Sequence, residues 1–256
     1  MIARLEDAGD RLIVWNGNQD KRGALSPELY ACIAEAMEKA AEPRIRAVIL
    51  TADGPFFCAG GNLNTLIERR SLTEDQRREK IEDLHDLVRA MRASPVPIIA
   101  AVEGGAAGAG LSLALACDLI VAAKDAKFTA AYVKAGLVPD GGLTASMARM
   151  LPRPLAMEMC LLGRPVMASR FFDMGAVSRL ASPGRAMEEA MALADTLAEG
   201  PRQAQGVIRG MVAEAYETSE AAQLDTERDA MAAAAGRAEA AEGIAAFLEK
   251  RKPQYR

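Results

Sequence analysis

Residues 98–150 read IIAAVEGGAAGAGLSLALACDLIVAAKDAKFTAAYVKAGLVPDGGLTASMARM, and this stretch decides the fold. Its apolar start, Ile98 to Val102, predicts a buried strand that runs into a turn of small residues. An uncharged segment rich in Ala and Leu follows and predicts a helix that ends before Asp118. Small residues at a helix start let a ligand approach bare backbone N–H groups, where the helix dipole favours negative charge. The stretch therefore predicts a strand, a turn and a helix start that can bind an anionic group.

Asp140 is the acid of interest further along, between Pro139 and the pair Gly141–Gly142. Its carboxylate is a candidate catalytic base. It is equally placed to cap the N-terminus of a helix that ends near Leu151. A side chain cannot serve both purposes at once, and the composition of the segment does not choose between them.

The composition indicates which class of protein the chain belongs to. The chain has 256 residues and a mass of 27.2 kDa, with 50% hydrophobic and 26% charged residues. This balance is typical of one soluble globular domain with a substantial core. The net charge of −4 and the pI near 5.3 argue against a nucleic-acid-binding surface.

The cysteines and the longest apolar run indicate the compartment. The four cysteines show no CxxC spacing and are expected to be reduced thiols rather than metal ligands: Cys32, Cys58, Cys117 and Cys160. The apolar run 97–123 is interrupted by Glu103 and Asp118, so it is not expected to span a membrane. The first residues, MIARLEDAGD, lack the apolar segment of a signal peptide. We expect a cytoplasmic protein without a metal site.

Strand-like and helix-like segments alternate in the first part of the chain. Four short apolar runs predict strands at Arg11–Trp15, Ala47–Thr51, Ile98–Val102 and Asp118–Ala122. Helical patterns lie between them, at Pro27–Ala41 after Ser26 and at Glu74–Met91 with an apolar stripe. The alternation predicts an α/β core with largely parallel strands.

From Pro152 onward the chain is predicted to be almost wholly helical. The helices expected there are Arg153–Leu162, Ser169–Met174, Arg185–Ala198, Pro201–Tyr216, Glu220–Ala234 and Glu239–Lys250. We divide the chain into a core, residues 1–195, and a helical C-terminal region, residues 196–256. Such a region either packs on its own core or covers a neighbouring subunit.

A second turn of small residues, 51–63, follows the predicted strand Ala47–Thr51. Two such turns could each supply one backbone N–H to a single oxygen. Paired donors stabilise a thioester enolate or a tetrahedral oxyanion, and the loss of one donor costs roughly 3 kcal/mol of barrier. The alternative is that small residues only allow close packing of helix and strand.

Several site classes are poorly supported. The only histidine, His85, lies in a charged patch of an amphipathic helix and is expected at the surface, which disfavours a Ser–His–Asp triad. No Walker GxxxxGK[ST] motif occurs, and the glycine-rich turn at 104–110 only loosely resembles a dinucleotide fingerprint.

Four segments, in the same order as in a known family, carry a specific resemblance. They are NQDKRGALS (18–26), FCAGGNL (57–63), PIIAAV with the following turn and ACD (97–118), and EGIAAFLEKR (242–251). Together they resemble the crotonase superfamily of enoyl-CoA hydratases and isomerases. The resemblance spans nearly the whole chain.

This resemblance implies a fold, a ligand and a site. The fold is a crotonase (ClpP/crotonase-like) ββα spiral with a helical C-terminal trimerisation region, assembled as a homotrimer or a dimer of trimers. The ligand is an acyl-CoA thioester, with coenzyme A as part of the substrate and no other cofactor. The oxyanion donors correspond to the backbone N–H groups of Gly61 and Ala109. The implied substrate-binding residues are Arg22, Ala24, Ala59, Gly60, Asn62, Leu63, Ser112 and Tyr132. Arg22 would reach a CoA phosphate, and a solvated turn residue is the alternative.

The carboxylates depart from the hydratase pattern. Hydratases use two glutamates to hold and activate water, and the matching positions hold Ser112 and Tyr132, which are poor bases at neutral pH. Asp140 instead falls where isomerase branches place their acid–base residue. The segment GLVPDGG (136–142) most resembles the isomerases of phenylacetate catabolism and the Δ3,Δ2-enoyl-CoA isomerases. A single carboxylate suits removal of a proton α to the thioester and its return at the γ carbon.

We therefore predict an enoyl-CoA isomerase with Asp140 as the proton shuttle. An enoyl-CoA hydratase acting through Asp140 and an ordered water is the main alternative. A hydrolytic dehalogenase ranks lower because that branch has a tryptophan where this chain has Tyr132. A non-catalytic acyl-CoA binder and a dinucleotide enzyme are the alternatives from other classes.

Overall fold

A computed structural model describes residues 1–255, and this part of the chain contains nine strands in two sheets. The strands are β1 (Ala3–Asp7), β2 (Arg11–Asn16), β3 (Ala47–Ala52), β4 (Ile98–Val102), β5 (Gly105–Ala107), β6 (Leu119–Ala123), β7 (Lys127–Thr129), β8 (Val166–Met167) and β9 (Arg179–Ala181). The main sheet has the order β1-β2-β3-β4-β6-β9, and the small sheet has the order β5-β7-β8. The main sheet is parallel except for the edge strand β1, which pairs antiparallel with β2.

Eleven α-helices lie within the same 255 residues. They are α1 (Pro27–Lys39), α2 (Leu63–Glu68), α3 (Glu74–Arg92), α4 (Ala109–Ala116), α5 (Leu143–Met150), α6 (Arg153–Leu162), α7 (Ala168–Asp173), α8 (Ala186–Ala198), α9 (Arg202–Glu214), α10 (Glu220–Ala235) and α11 (Ala238–Glu249). None of the helices in this part of the chain is long and apolar enough to cross a bilayer.

The main sheet is buried on both faces because the strands are apolar at successive positions. In β3, Val48 and Leu50 point to the face that α1, α3 and α4 cover, whereas Ala47 and Ile49 point to the opposite face. The opposite face is covered by α8, which presents a stripe of buried alanines: Ala186, Ala190 and Ala194. Helices on both faces are the arrangement expected for parallel strands.

The chain advances as a spiral of two strands and a helix. Strand β4 of the main sheet leads into β5 of the small sheet and then into α4. Strand β6 repeats the pattern through β7 and α5. After β3, the second strand is reduced to a single parallel bridge between Cys58 and Ala106. The repeat therefore places a turn and a helix start at the same end of successive strands.

The predicted elements can now be compared with the structure. The four predicted strands and the helices at Pro27 and Glu74 are confirmed, with ends that differ by at most two residues. The six helices predicted after Pro152 are also confirmed, with ends that differ by at most two residues. The prediction missed two short strands there, β8 and β9, and β9 joins the main sheet beside β6. Both strands are too short for a period-two pattern to stand out. The boundary at residue 195 stays a prediction, and α8 spans that position.

An ion pair with a buried arginine joins the C-terminal helices to the sheet. Arg209 of α9 donates from Nε to Asp118 Oδ2 at 2.6 Å, and its other nitrogens donate to three backbone carbonyls: Met91, Arg92 and Ser94. Asp118 also accepts the N–H of Ile98 at 2.8 Å. Partial burial raises the pKa of Asp118, and the Arg209 guanidinium opposes this shift. The Arg209 side chain is 6% exposed and the Asp118 side chain 27%, so the cation is shielded from solvent and the carboxylate is partly shielded.

We expect Arg209→Met to lower the free energy of unfolding by about 3 kcal/mol, because it leaves three backbone carbonyls and the partly buried Asp118 carboxylate without their donor. Arg78→Met is the matched control, since Arg78 pairs with Glu74 and Asp75 on the exposed face of α3. The control should cost less than about 1 kcal/mol. Urea denaturation followed by Trp15 fluorescence measures both changes, and equal losses would contradict the assigned role of Arg209.

Candidate active site

The two turns of small residues meet in the structure. Cys58 accepts the N–H of Ala107 at 2.9 Å, which holds the turn after β3 against β5. Gly60 has φ +92°, and a Cβ there would lie 2.6 Å from the Ala107 oxygen and 3.0 Å from the Ala109 nitrogen. A side chain at Gly60 would therefore separate the turns, and glycine is required because backbone packs directly on backbone.

Two backbone N–H groups at this junction have no acceptor among the residues that the structure describes. Ala109 is the first residue of α4, where an N–H group has no acceptor within the helix, and it is buried. Gly61 lies in the facing turn, next to Gly60. Within residues 1–255, neither N–H donates to any acceptor. Such a pair beside a helix start suits an oxygen that develops negative charge.

Asp140 is held over α4 by the glycine that follows it. Gly141 has φ +60°, and a Cβ there would lie 2.8 Å from the Ser112 Cβ and 3.1 Å from a methyl group of Leu84. Ser112 is in the middle of α4, one turn after Ala109. The close contact of Gly141 with Ser112 therefore places Asp140 on the same helix that carries the first donor.

Hydroxyl groups fix the Asp140 side chain and backbone. Tyr132 donates from its hydroxyl to Asp140 Oδ1 at 2.7 Å. The Ser112 hydroxyl donates to the Asp140 carbonyl at 2.9 Å and lies 3.0 Å from the Tyr132 oxygen. Asp140 Oδ2 accepts no hydrogen bond from the residues that the structure describes. The sequence-predicted residues Asp140, Ser112 and Tyr132 are thus brought together.

The protonation of the neighbouring groups follows from their burial. Burial raises the pKa of the Tyr132 hydroxyl, and the charge of Asp140 adds to the shift. Tyr132 is therefore a proton donor, not a base, at neutral pH. Burial also raises the pKa of the Cys58 thiol to about 12, so Cys58 is not a thiolate nucleophile.

The alternative role of Asp140 as a helix cap is wrong. The N-cap position of α5 is Gly142, and no side chain caps that helix end. Only the Asp140 backbone contributes there, because its carbonyl accepts the N–H of Leu143 at 3.2 Å. The positive φ of Gly141 and Gly142 turns the chain so that the Asp140 side chain points to Tyr132 instead. Sequence could not show this turn.

The remaining predicted residues surround the turn after β3. The N–H of Ala59 donates to the Arg22 carbonyl at 3.0 Å, and the N–H of Leu25 donates to the Gly60 carbonyl at 2.8 Å. Between them along the chain, Ala24 is buried. The Arg22 guanidinium lies over the Phe56 ring at 4.5 Å from its centroid.

The next two residues open the short helix α2. The Asn62 side chain accepts the N–H of Asn64 at 3.0 Å and so caps this helix. Leu63 is the first helical residue and is exposed, at the edge of the junction.

Two residues near Asp140 were missed by sequence reasoning. Leu84 of α3 contacts Gly141, and Tyr30 of α1 is close enough for the Asp140 charge to raise its pKa, after the larger effect of burial. Leu84 belongs to the apolar stripe predicted for α3, but helical periodicity does not show which part of the core a stripe covers. His85 is half-exposed and lies 3.5 Å from Glu82 on its own helix, as expected for a surface residue.

Comparisons with known proteins identify the family and the fold. The sequence model of the family described as enoyl-CoA hydratase/isomerase matches residues 17–256. The 1,2-epoxyphenylacetyl-CoA isomerase of Escherichia coli (strain K12) is 34% identical over 238 residues, which cover 92% of this chain and 91% of that protein. Enoyl-CoA hydratase EchA19 of Mycobacterium tuberculosis is 32% identical over 256 residues, with 99% and 96% covered. The crystal structure of an enoyl-CoA hydratase from Polaromonas sp. JS666 superimposes with a TM-score of 0.96 at 43% identity, covering 99% of both chains.

We expect Gly141→Ala to destabilise the protein more than Gly136→Ala. Both glycines have positive φ, +60° and +67°, so each substitution introduces backbone strain of about 1 kcal/mol. Only Gly141 also meets a rigid neighbour, the Ser112 Cβ, whereas Gly136 faces open space. The clash should add about 1–3 kcal/mol to the loss of unfolding free energy. Equal losses in chemical denaturation would show that the loop moves freely away from α4.

Proposed function

The chain belongs to the enoyl-CoA hydratase/isomerase family and has the crotonase fold, and on this premise we propose that it moves a carbon–carbon double bond in an acyl-CoA thioester. The observation that carries the proposal is the surroundings of Asp140. Its carboxylate is accompanied by two hydroxyl groups, Ser112 and Tyr132, at the positions where the resemblance places the two glutamates of hydratases. One carboxylate beside an oxyanion donor pair is sufficient for proton transfer along a carbon chain.

In the proposed reaction the thioester oxygen binds the N–H groups of Gly61 and Ala109. Asp140 removes the proton from the carbon α to the thioester, and the electron pair of the C–H bond moves into the enolate. Asp140 then returns the proton at the γ carbon, and collapse of the enolate leaves the double bond in its new place. The donor pair is expected to be worth roughly 3 kcal/mol of barrier per donor.

Hydration is the second candidate, because the relatives from Mycobacterium tuberculosis and Polaromonas carry the name hydratase. It would require Asp140 alone to hold and activate water. Neither hydroxyl helps as a base, since burial raises the pKa of Tyr132 and a serine hydroxyl is a weaker acid still. The name of the Escherichia coli relative, an isomerase, supports the first candidate.

The CoA part of the substrate is assigned to the turn after β3 and its neighbours. Ala24, Ala59, Gly60, Asn62 and Leu63 would line the path of the pantetheine chain, and Arg22 at the exposed end would meet a CoA phosphate. The small side chains of Ala24, which is buried, and Ala59, which is partly buried, leave room for an extended chain to pass close to the backbone. No cofactor beyond the CoA of the substrate enters the proposed reaction.

We also propose a homotrimer or a dimer of trimers. The C-terminal helices expose large apolar side chains that a single copy leaves in water: Ile208, Val212, Leu224, Met231, Ile244, Phe247 and Leu248. Many large apolar side chains exposed in one region of a chain are typical of a protein–protein interface. A cytoplasmic location stays part of the proposal, supported by the four free thiols.

We expect Asp140→Asn to lower kcat for isomerisation of a 3-enoyl-CoA at least about a hundredfold, because the amide cannot accept the α proton. Binding of the acyl-CoA should be retained, since the amide keeps the shape of the carboxylate. The assay follows the rise in absorbance when the double bond becomes conjugated with the thioester.

Asp83→Asn is the matched control, since Asp83 is an exposed carboxylate of α3 on the Asp140 side of the molecule and should leave kcat within about twofold. Activity of the Asp140 variant within a few-fold of the wild type would overturn the proton shuttle. A wild type that hydrates 2-enoyl-CoA faster than it isomerises 3-enoyl-CoA would favour the hydratase. A wild type that binds acyl-CoA without turnover would favour a non-catalytic binder.

The assembly is tested by light scattering coupled to size-exclusion chromatography. The wild type should elute with three or six times the chain mass of 27.2 kDa. Phe247→Glu should lower this mass, because it places a charge in the apolar face of α11, where Phe247 is 85% exposed. Ile67→Glu is the control, with a similarly exposed apolar residue on α2. An unchanged mass in the Phe247 variant, or a monomeric wild type, would contradict the proposed assembly.

A further inference from the structure

We propose that Tyr132 and Ser112 are positioning residues that give the two carboxylate oxygens of Asp140 different roles. Tyr132 holds Oδ1 throughout the reaction, and Oδ2 alone takes the substrate proton and returns it. The inference rests on the proposed function, because it assumes that Asp140 is the proton shuttle.

Each of the three groups comes from a separate segment. Tyr132 lies in a 3₁₀ turn, Ala131–Ala135, and its carbonyl accepts the N–H of Leu137 at 3.1 Å, which folds the following chain back on the turn. Ser112 lies in the middle of α4 and is 1% exposed. Asp140 precedes α5 and is packed on Ser112 through Gly141. The hydroxyls are therefore fixed by the fold before substrate arrives.

Each of the two hydroxyl groups has one proton, and the hydrogen bonds show which acceptor it is directed to. The Tyr132 proton is directed to Asp140 Oδ1 at 2.7 Å, a charge-assisted bond and the strongest of the set. The Ser112 proton is directed to the Asp140 carbonyl at 2.9 Å, and the Tyr132 oxygen at 3.0 Å lies within reach as a second acceptor. Neither hydroxyl has a second proton to offer, so Oδ2 keeps its lone pairs for the substrate.

The same bond can persist through the whole proton cycle. When the α C–H bond breaks, the proton goes to Oδ2 and the electron pair goes to the enolate. Oδ1 then becomes the carbonyl oxygen of the neutral acid and still accepts from Tyr132. When the Oδ2–H bond breaks, the proton forms the new C–H bond at the γ carbon and Asp140 is a carboxylate again. The carboxyl group has no need to rotate between the two transfers, because one oxygen performs both.

Tyr132 is the direct donor to the Asp140 carboxylate. Tyr30 of α1 is near enough to be affected by the Asp140 charge, and a nitrogen of Arg92 of α3 lies 3.2 Å from the position of a Cβ on Gly142. Neither side chain hydrogen-bonds to Asp140 in the described part of the chain.

The test measures kcat and KM for 3-enoyl-CoA isomerisation. Tyr132→Phe should lower kcat about tenfold and leave KM within about twofold, since the hydroxyl touches Asp140 and not the substrate. Ser112→Ala should lower kcat less, because it leaves the Tyr132 donor in place.

Tyr30→Phe is the matched control, since it removes a partly buried hydroxyl beside Asp140 that makes no hydrogen bond within residues 1–255. Its kcat and KM should stay within about twofold of the wild-type values. A 3-fluorotyrosine in place of Tyr132 keeps the donor and nearly the same shape, so it should retain kcat within about threefold. Loss of kcat in the phenylalanine variant together with its retention in the fluorotyrosine variant would exclude a general loss of folding.

The outcomes separate this inference from the proposed function. A kcat that Tyr132→Phe leaves unchanged, or that Tyr30→Phe lowers equally, overturns the role of Tyr132. If Asp140→Asn abolishes turnover in the same preparation, the proton shuttle stands and only the positioning inference fails. If Asp140→Asn retains turnover, the proposed function itself fails.

Discussion

The contact between Gly60 and the first turn of α4 is the constraint on which the site depends. A Cβ at Gly60 would lie 3.0 Å from the Ala109 nitrogen, and a Cβ at Gly110 would lie 2.3 Å from the Cys58 oxygen. Backbone therefore packs on backbone from both sides of the junction, and only glycine permits this approach. The same small residues allow the tight packing and leave the N–H groups of Gly61 and Ala109 without acceptors among the described residues. The two explanations that the sequence left open, close packing and a donor pair, are therefore compatible.

In the proposed mechanism, helix α4 positions both an oxyanion donor and the loop that carries the base. Ala109 at its start supplies one donor, and Ser112, three residues later on the same side of the helix, holds the loop of Asp140. The eight residues of α4 are all buried, so the helix has little freedom to shift. Donor and base are thereby kept at a constant separation along one rigid element, which is the requirement for moving a proton between neighbouring carbons.

The sequence predicted long periodic elements and missed contacts made by short ones. Strand β4 and helix α3 were predictable because their apolar patterns extend over whole elements. Strands β8 and β9 have two and three residues, and only the partner strands define them. Asp140 could be singled out from its motif, but not the Tyr132 hydroxyl bond that excludes the helix-cap alternative. That bond depends on the positive φ of Gly141, a torsion that a sequence permits and does not dictate.

The hydrogen bonds that Ser112 and Tyr132 make to Asp140 favour proton transfer over the addition of water. Two carboxylates can hold a water molecule by accepting both of its protons, whereas a hydroxyl offers one proton and weak acceptors. Here the Tyr132 proton is directed to Asp140 Oδ1 and the Ser112 proton to the Asp140 carbonyl. An attacking water would have to rely on Oδ2 alone, the same oxygen that must act as its base. A proton taken from carbon needs only that one oxygen, because the enolate is held elsewhere, by the donors at the glycine junction.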